Sequence, residues 1–264
     1  MIHLTQHDTL TGLPNRSQLH DHIGQAIATA NRRQQRAALL YIDIDNFKQV
    51  NELHGHAAGD RVLRAFTAQL HGCLPGDELL SRYGGDEFVV MLPHLEGVGE
   101  AASLCQILIN HGEQTRVDGL SELSLRLSIG ISVYPDDAIE PEDLLQHAET
   151  ALVAVKAQGL HGYRFFTASM NERARARRRI ETALRQALPR QELDLHYQPK
   201  VDAQSGRIVG AEALLRWYAN GREQYTPDQF IPVAEDTGLI LPIGAWALRQ
   251  ACRQAQRWLS AGHP

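Results

Sequence analysis

Arg82-Tyr83-Gly84-Gly85-Asp86-Glu87-Phe88 decides how the first part of this chain folds. Glu78-Leu79-Leu80-Ser81 before it and Phe88-Val89-Val90-Met91-Leu92 after it both read as strands. Two glycines between apolar, β-prone runs predict a tight hairpin turn, because glycine takes φ > 0 without steric cost. Two adjacent carboxylates, Asp86 and Glu87, sit beside that turn. Two negative charges on a rigid turn repel unless something positive comes between them. One reading is a solvent-facing acidic hairpin with no partner. The other is a seat for a hard divalent cation, which takes oxygen ligands.

A second acidic element favours the cation. Leu39-Leu40-Tyr41-Ile42-Asp43-Ile44-Asp45 is an apolar strand that turns acidic at its C-terminal end. Strand ends in α/β sheets are where ligands sit. A hairpin turn and a strand end, each bearing carboxylates, supply what metal-assisted phosphoryl or nucleotidyl transfer requires.

Outward from these two elements the chain alternates. Asp8 to Arg16 is a turn-rich entry containing Gly12 and Pro14. Leu19, Ile23, Ile27 and Ala30 recur at helical spacing, which predicts an amphipathic helix from Ser17 to about Arg33. A strand over 38–44, a short helix over 47–53 ended by Gly55, and a helix over 60–70 precede the hairpin. A helix over 99–110, a strand over 123–133, a helix opened by Pro141 and a strand over 163–166 follow it. The order β-α-α-β-β-α-β-α-β predicts an α/β sandwich with a largely antiparallel central sheet.

Five segments stand in order at matching spacing: Asp8-Thr9-Leu10-Thr11-Gly12-Leu13-Pro14-Asn15-Arg16, Asp43-Ile44-Asp45-Asn46-Phe47-Lys48, Gly55-His56-Ala57-Ala58-Gly59-Asp60, Arg82 to Phe88, and Ser128-Ile129-Gly130-Ile131. With these the chain resembles the GGDEF family of diguanylate cyclases over roughly its first two-thirds. The resemblance implies a palm-like α/β sandwich. It also implies a reaction, the condensation of two GTP to cyclic-di-GMP with release of two pyrophosphates. One domain holds one GTP, so the productive site implied is a homodimer of facing domains, with Mg2+, or Mn2+, as cofactor.

Carried over residue by residue, the resemblance makes Asp43 and Asp86 metal ligands, with the backbone carbonyl of Ile44 a third. Asp86 is also the candidate for deprotonating the attacking hydroxyl, with Glu87 supporting the metal site. Asn51 and Asp60 match the pair that reads guanine. A carboxylate accepts from the guanine N1–H and amine, and an amide contacts its acceptors. His56 matches a further substrate contact. Lys48 and Lys156 match phosphate-contacting lysines, and Lys200 is the only other lysine. Taken singly, Asn51 reads as a helix-surface residue, His56 as a turn histidine and Lys156 as a solvated lysine. Asp45 and Asn46 read as turn and cap residues.

Three places depart from the family pattern. Leu160-His161 stands where Arg-Asn usually follows, Val153 replaces a usual tyrosine, and Pro75 and Glu78 occupy the positions of an inhibitory Arg-x-x-Asp. Feedback through that inhibitory site is expected to be absent, and the lost arginine is expected to weaken phosphate binding.

Composition agrees with an ordinary globular chain. Of 264 residues, 43% are hydrophobic and 22% charged, and the net charge of −5 gives no general affinity for nucleic acid. Cys73, Cys105 and Cys252 are too far apart for a zinc site or a disulfide framework, which suggests a reducing, cytoplasmic compartment. No run is apolar enough for a transmembrane segment, and no signal-peptide pattern is present. Proteins resembling this one often carry a sensor domain upstream; Met1 leads almost directly into the Asp8 motif, so such a domain is expected only in a longer parent.

The character changes at Thr167. Arg173, Arg175, Arg177, Arg178 and Arg179 crowd a helix that runs on through Ile180, Leu184 and Leu188, read either as a phosphate patch or as a solvated linker helix. Beyond Pro189, Glu192 to Lys200 and Ile208 to Trp217 read as strands, and 227–238 and 242–259 as helical segments. Glu212-Ala213-Leu214 makes this part resemble the start of an EAL-type cyclic-di-GMP phosphodiesterase domain. There Glu212 matches a metal ligand, and Gln198 and Arg216 match dinucleotide contacts. That family's barrel is related to the (β/α)8 type, which needs about 250 residues. Only 264 − 189 = 75 remain after Pro189, so an incomplete (β/α) barrel fragment without hydrolytic activity is expected. The expected division is a GGDEF domain over 1–168, a linker helix over 169–189 and an EAL fragment over 190–264. A competing expectation is a non-catalytic GTP-binding GGDEF domain that regulates the phosphodiesterase of the full-length parent.

Overall fold

The structure is a computed structural model that describes residues 6–74, 76, 78–117, 120, 123–159 and 161–262. Pro75 and Leu160, two of the departures noted above, lie outside the described residues. The chain divides into two bodies, residues 1–171 and 172–264.

In the first body the elements run α1 (Arg16–Arg33), β1 (Arg36–Ile44), α2 (Phe47–His54), α3 (His56–Cys73), β2 (Leu79–Gly84), β3 (Glu87–Leu95), α4 (Val98–Gln114), β4 (Leu127–Tyr134), α5 (Pro141–Lys156) and β5 (Gly162–Phe165). The sheet order is β2-β3-β1-β4-β5. All pairs are antiparallel except β4 with β5, which is parallel. This is the largely antiparallel α/β sandwich expected from the element order, in the palm-like form that the resemblance implies.

Alternation along β1 builds the two layers. Ala38, Leu40, Ile42 and Ile44 face one core with Phe66 and Leu70 of α3 and Leu104 and Leu108 of α4. Ala37, Leu39 and Tyr41 face the other, with Leu19 and Ile23 of α1 and Leu144 and Leu152 of α5. Burying each such Leu or Ile contributes roughly 1.5–3 kcal/mol. Eight of the nine β1 residues are buried, which is why the run is apolar on both alternations. Helix α1 is opened by Asn15, whose Oδ1 accepts from the Ser17 and Gln18 amides at 3.0 and 3.3 Å. Helix α5 opens on Pro141 with Glu142 and Asp143 in its first turn, where carboxylates suit the helix dipole.

Gly130 sets the distance between α5 and the sheet. A Cβ there would run into the Ala148 carbonyl oxygen and the Leu152 amide, so only glycine allows α5 to lie this close to β4. This brings the C-terminal end of α5, with Lys156, to the acidic end of β1.

Helix α6 (Ala168–Ala187) runs across the division between the bodies. It was expected as a solvated linker, and its arginine-rich face is exposed; Ile180, Leu184 and Ala187, however, are buried in the second core. Arg177 pairs with Asp236 and Arg185 with Glu181. The second body continues with β6 (Leu193–Val201), β7 (Ile208–Ala219), β8 (Arg222–Tyr225), α7 (Pro227–Asp236) and α8 (Ile240–Ser260). Its three strands form an antiparallel meander, β6-β7-β8, and no closed barrel is present among the described residues. The core centres on Trp217, wholly buried, whose indole N–H donates to Glu192 at 3.1 Å and whose ring meets Phe230 edge-on.

Candidate active site

The acidic turn is tighter than the sequence suggested. Gly84 still belongs to β2 and pairs with Glu87, so Gly85 and Asp86 alone make the turn. Gly85 takes φ +52° at the first central position, the place that a type II′ hairpin gives to glycine. A register shift between Arg82 and Gly84 bulges the strand at Tyr83. Asp86 therefore sits in a two-residue turn closed by the Gly84–Glu87 pair.

Arg82 locks that tip. Its Nε and Nη2 donate to the Gly85 carbonyl at 3.0 and 2.6 Å, and its Nη1 reaches Asp8 Oδ1 at 2.8 Å. The same Asp8 oxygen accepts from the Thr11 amide and hydroxyl, and the Arg82 amide donates to the Pro14 carbonyl at 2.9 Å. Burial alone would raise the Asp8 carboxyl; Thr11 and Arg82 outweigh it and hold the group below its ordinary value. The entry motif thus acts as a brace for the turn. Sequence reasoning gave Asp8 no role, because its partner lies 74 residues away.

The two acidic elements meet. The Ile44 amide donates to the Asp86 carbonyl at 3.3 Å, and Asp43 stands opposite Glu87 in the β1–β3 register. Asp43 is 5% exposed and receives the Lys156 ammonium at 2.6 Å. Its carboxyl is pushed up to about 6, chiefly by burial; Lys156 opposes the rise, and the charges of Asp86 and Asp45 add to it. Tyr41, two residues before Asp43, has its phenol raised by burial and then by the negative charge of Glu87. Asp43, Glu87 and Lys156 therefore share the α1/α5 side of the sheet end.

Asp45 is more than a turn residue. It accepts from the Ser128 hydroxyl at 2.7 Å, and its amide donates to the Arg126 carbonyl at 2.9 Å. Asn46 stands at the N-cap position of α2, but in the left-handed region at φ +57° and with no side-chain cap bond, so it does not cap in the way expected. An open cleft of about 300 Å³ lies here, lined by Asp45, Asn46, Arg126, Ser128, Lys156, Gly159 and His161.

Asn51, His56 and Asp60 fall together on the corner between α2 and α3. A Cβ on Gly59 would strike Asn51 Oδ1, so the glycine before Asp60 makes room for the Asn51 side chain. His56 and Asp60 are exposed at the start of α3. Lys48 is not brought to the acidic pair: it is 89% exposed and lies 3.6 Å from Glu52 one turn on. Neither Asn51 nor Lys48 lines the 300 Å³ cleft.

Asp43, Asp86 and the Ile44 carbonyl could hold a hard divalent cation. They are oxygen donors from a strand end and the adjoining turn, and the charges of Asp86 and Asp45 add to the burial that raises the Asp43 carboxyl. Among the described residues no group of three or more His, Cys, Asp or Glu side chains is arranged as a metal site. Magnesium suits such a sparse donor set, because it binds through one or two carboxylates and fills its shell with water and substrate phosphates.

In the second body Gln198 and Glu212 are direct cross-strand partners, and Arg216 lies opposite Asp194 on the same face. Glu212 is half-exposed and 3.5 Å from Lys200, while Arg216 donates to the Leu215 carbonyl. Strand β8 escaped sequence reasoning. Its signal was Asn220-Gly221, both with positive φ, the pair that makes a type I′ hairpin.

A palm-like sheet that carries paired carboxylates on a hairpin tip and a strand end defines a nucleotide-transfer class of domain. Residues 5–161 match the family described as "Diguanylate cyclase, GGDEF domain", and residues 181–264 match the family "EAL domain". The chain belongs to the GGDEF family of diguanylate cyclases and continues into an EAL-family segment. It is 43% identical over 263 residues to MucR of Pseudomonas aeruginosa, a bifunctional diguanylate cyclase/cyclic di-GMP phosphodiesterase, covering 100% of this chain and 38% of that protein. It is 36% identical to PdeR of Escherichia coli, a cyclic di-GMP phosphodiesterase, over 98% of this chain and 39% of the relative. The chain thus spans about two-fifths of the length of these relatives. The solved GGDEF domain of TpbB (YfiN) from Pseudomonas aeruginosa superposes with TM-score 0.60 at 36% identity, covering 63% of this chain and 97% of that one. The GGDEF domain of DgcB from Caulobacter crescentus, solved in complex with c-di-GMP, gives 0.54 at 25% identity, over 61% and 95%. No helix among the described residues is long and apolar enough to cross a membrane.

Proposed function

We propose that the first body is a magnesium-dependent diguanylate cyclase that condenses two GTP to cyclic-di-GMP across two facing copies. The observation that carries this is the meeting of Asp43 with the Asp86 turn, through the 3.3 Å Ile44–Asp86 backbone bond and the electrostatic coupling of the two carboxylates. When bound by Asp43, Asp86 and the Ile44 carbonyl, magnesium would neutralise the triphosphate and polarise its phosphorus.

The chain's own residues have distinct tasks. Asp86, at the turn tip, takes the proton of the 3′-hydroxyl. The hydroxyl oxygen then bonds to the α-phosphorus of the opposing nucleotide as the bond to pyrophosphate breaks. Arg82 and Asp8 hold the tip rigid, which matters because reacting atoms must be held within about 3–3.5 Å. Lys156 contributes positive charge at the acidic end of β1. Asn51 and Asp60 present an amide and a carboxylate to the guanine edge, with His56 beside them. Glu87 sits opposite Asp43 and supports it. Magnesium, GTP and the facing second copy are parts of this proposal.

Purified chain incubated with GTP and magnesium, with products separated by chromatography, tests it. Cyclic-di-GMP should form, and Asp86→Ala should lower the rate about 10²–10⁴-fold, the usual contribution of a positioned base. Unchanged turnover in that variant would remove Asp86 from the chemistry. GTP binding without product would instead favour a regulatory nucleotide site.

A further inference from the structure

The proposed cyclase site contains a cation that the resemblance does not assign. Arg126 lines the 300 Å³ cleft beside Lys156, Asn46, Ser128 and His161. Its position follows from its neighbours at the start of β4. Ser128 stands opposite Asp43, with its hydroxyl on Asp45, and Gly130 faces α5 on the same side. Arg126 precedes Ser128 by two and is tied to the sheet end by the bond from the Asp45 amide to its carbonyl, 2.9 Å. With Lys156 it lines the cleft at this end of the sheet.

Charge makes the position informative. Lys156, the expected phosphate lysine, is already engaged by the Asp43 carboxylate at 2.6 Å. Lys48, the other expected lysine, lies by Glu52 and outside the cleft. Arg126 is exposed and has no ion pair among the described residues, although the carboxylate of Asp45 lines the same cleft. A guanidinium offers a planar fork that matches phosphate oxygens in pairs.

We propose that Arg126 is a phosphate-binding residue of this site, holding the polyphosphate arm of GTP beside Lys156. It takes the place of the arginine that the family pattern puts where Leu160 stands. The assignment rests on the cyclase reading above and adds a residue to it.

Calorimetric titration of the 264-residue chain separates the two. The probes are α,β-methylene GTP with magnesium, which cannot release pyrophosphate, and GMP. Arg126→Ala should weaken binding of the triphosphate probe roughly tenfold or more, the worth of a charge-assisted pair, and leave GMP binding unchanged. Arg126→Lys should restore part of the loss, because charge returns without the fork. The melting temperature of Arg126→Ala should equal that of the parent, since the side chain is exposed. If Arg126→Ala binds the triphosphate probe as tightly as the parent, the assignment is overturned and Arg126 only screens Asp45. An equal loss for both probes overturns it as well, because the effect then lies outside the phosphate arm. If the parent fails to bind the triphosphate probe, the cyclase reading itself falls and takes this residue with it.

Discussion

Each body holds a lysine against a carboxylate on a β-strand, and the two pairs behave differently. Asp43 and Lys156 meet at 2.6 Å with the Asp43 side chain 8% exposed. Glu212 and Lys200 are 3.5 Å apart, with side chains 55% and 61% exposed. The strands that carry them differ in the same sense. Strand β4, beside Asp43, is buried along its whole length, whereas β7 leaves Ile208 and Val209 in water. Helices cover both faces of the first sheet, and this removes water from one end of β1. The same residue chemistry becomes a charged, constrained site in one body and an ordinary surface pair in the other.

The sharpest way to break this comparison is to open the covered face. Gly130→Ala puts a methyl into the Ala148 carbonyl and the Leu152 amide, so the first body should lose about 3 kcal/mol or more. Gly210 of β7 has open space where a Cβ would sit, and Gly210→Ala should change stability by no more than about 0.5 kcal/mol. Urea unfolding of both variants measures the contrast. Equal effects would mean that the first sheet is not held by close approach of α5.

Acid titration probes the buried carboxylate itself. Asp43 sits at about 6 in the folded chain, against about 3.9 for an unfolded aspartate. Between those values the folded state binds more protons than the unfolded one, so stability should fall as pH rises from about 4 to about 6 and level off above. Two units correspond to about 3 kcal/mol, measured by urea unfolding in metal-free buffer. Asp43→Asn should remove that step. A parent whose stability is flat over this range would contradict the burial argument.

Deleting each lysine sharpens the contrast at smaller scale. Lys156→Ala leaves a buried carboxylate without its partner and should cost roughly 1–3 kcal/mol, toward the lower end because Lys156 is itself 43% exposed. Lys200→Ala should cost between about 0 and 1 kcal/mol, as exposed ion pairs do. Thermal melting at pH 7 resolves the two, and similar losses would place Asp43 in water.

Much of the first body was legible because its signals are local. The apolar run over 37–42 makes most of β1, Gly85 makes the hairpin turn, and Pro141 opens α5. The second body was harder to read. Strand β8 is only four residues long and mostly polar, so hydrophobic alternation gave no sign of it beside the Asn220-Gly221 turn. Helix α6 looked like a linker because five arginines crowd residues 173–179; Ile180, Leu184 and Ala187 suffice to seat it in the second core.

The sequence by itself determined the elements of the first body, the acidic turn and the acidic strand end, since each depends on neighbours a few residues away. It also determined which side chains are chemically able to hold a metal or a phosphate. Only the tertiary structure decided that Arg82 reaches back 74 residues to Asp8, that Lys156 closes on Asp43, and that Arg126 lines a cleft with Lys156 while Lys48 does not. Those outcomes depend on sheet register and on how closely α5 approaches β4. Both are fixed by packing between distant segments, which no local pattern records.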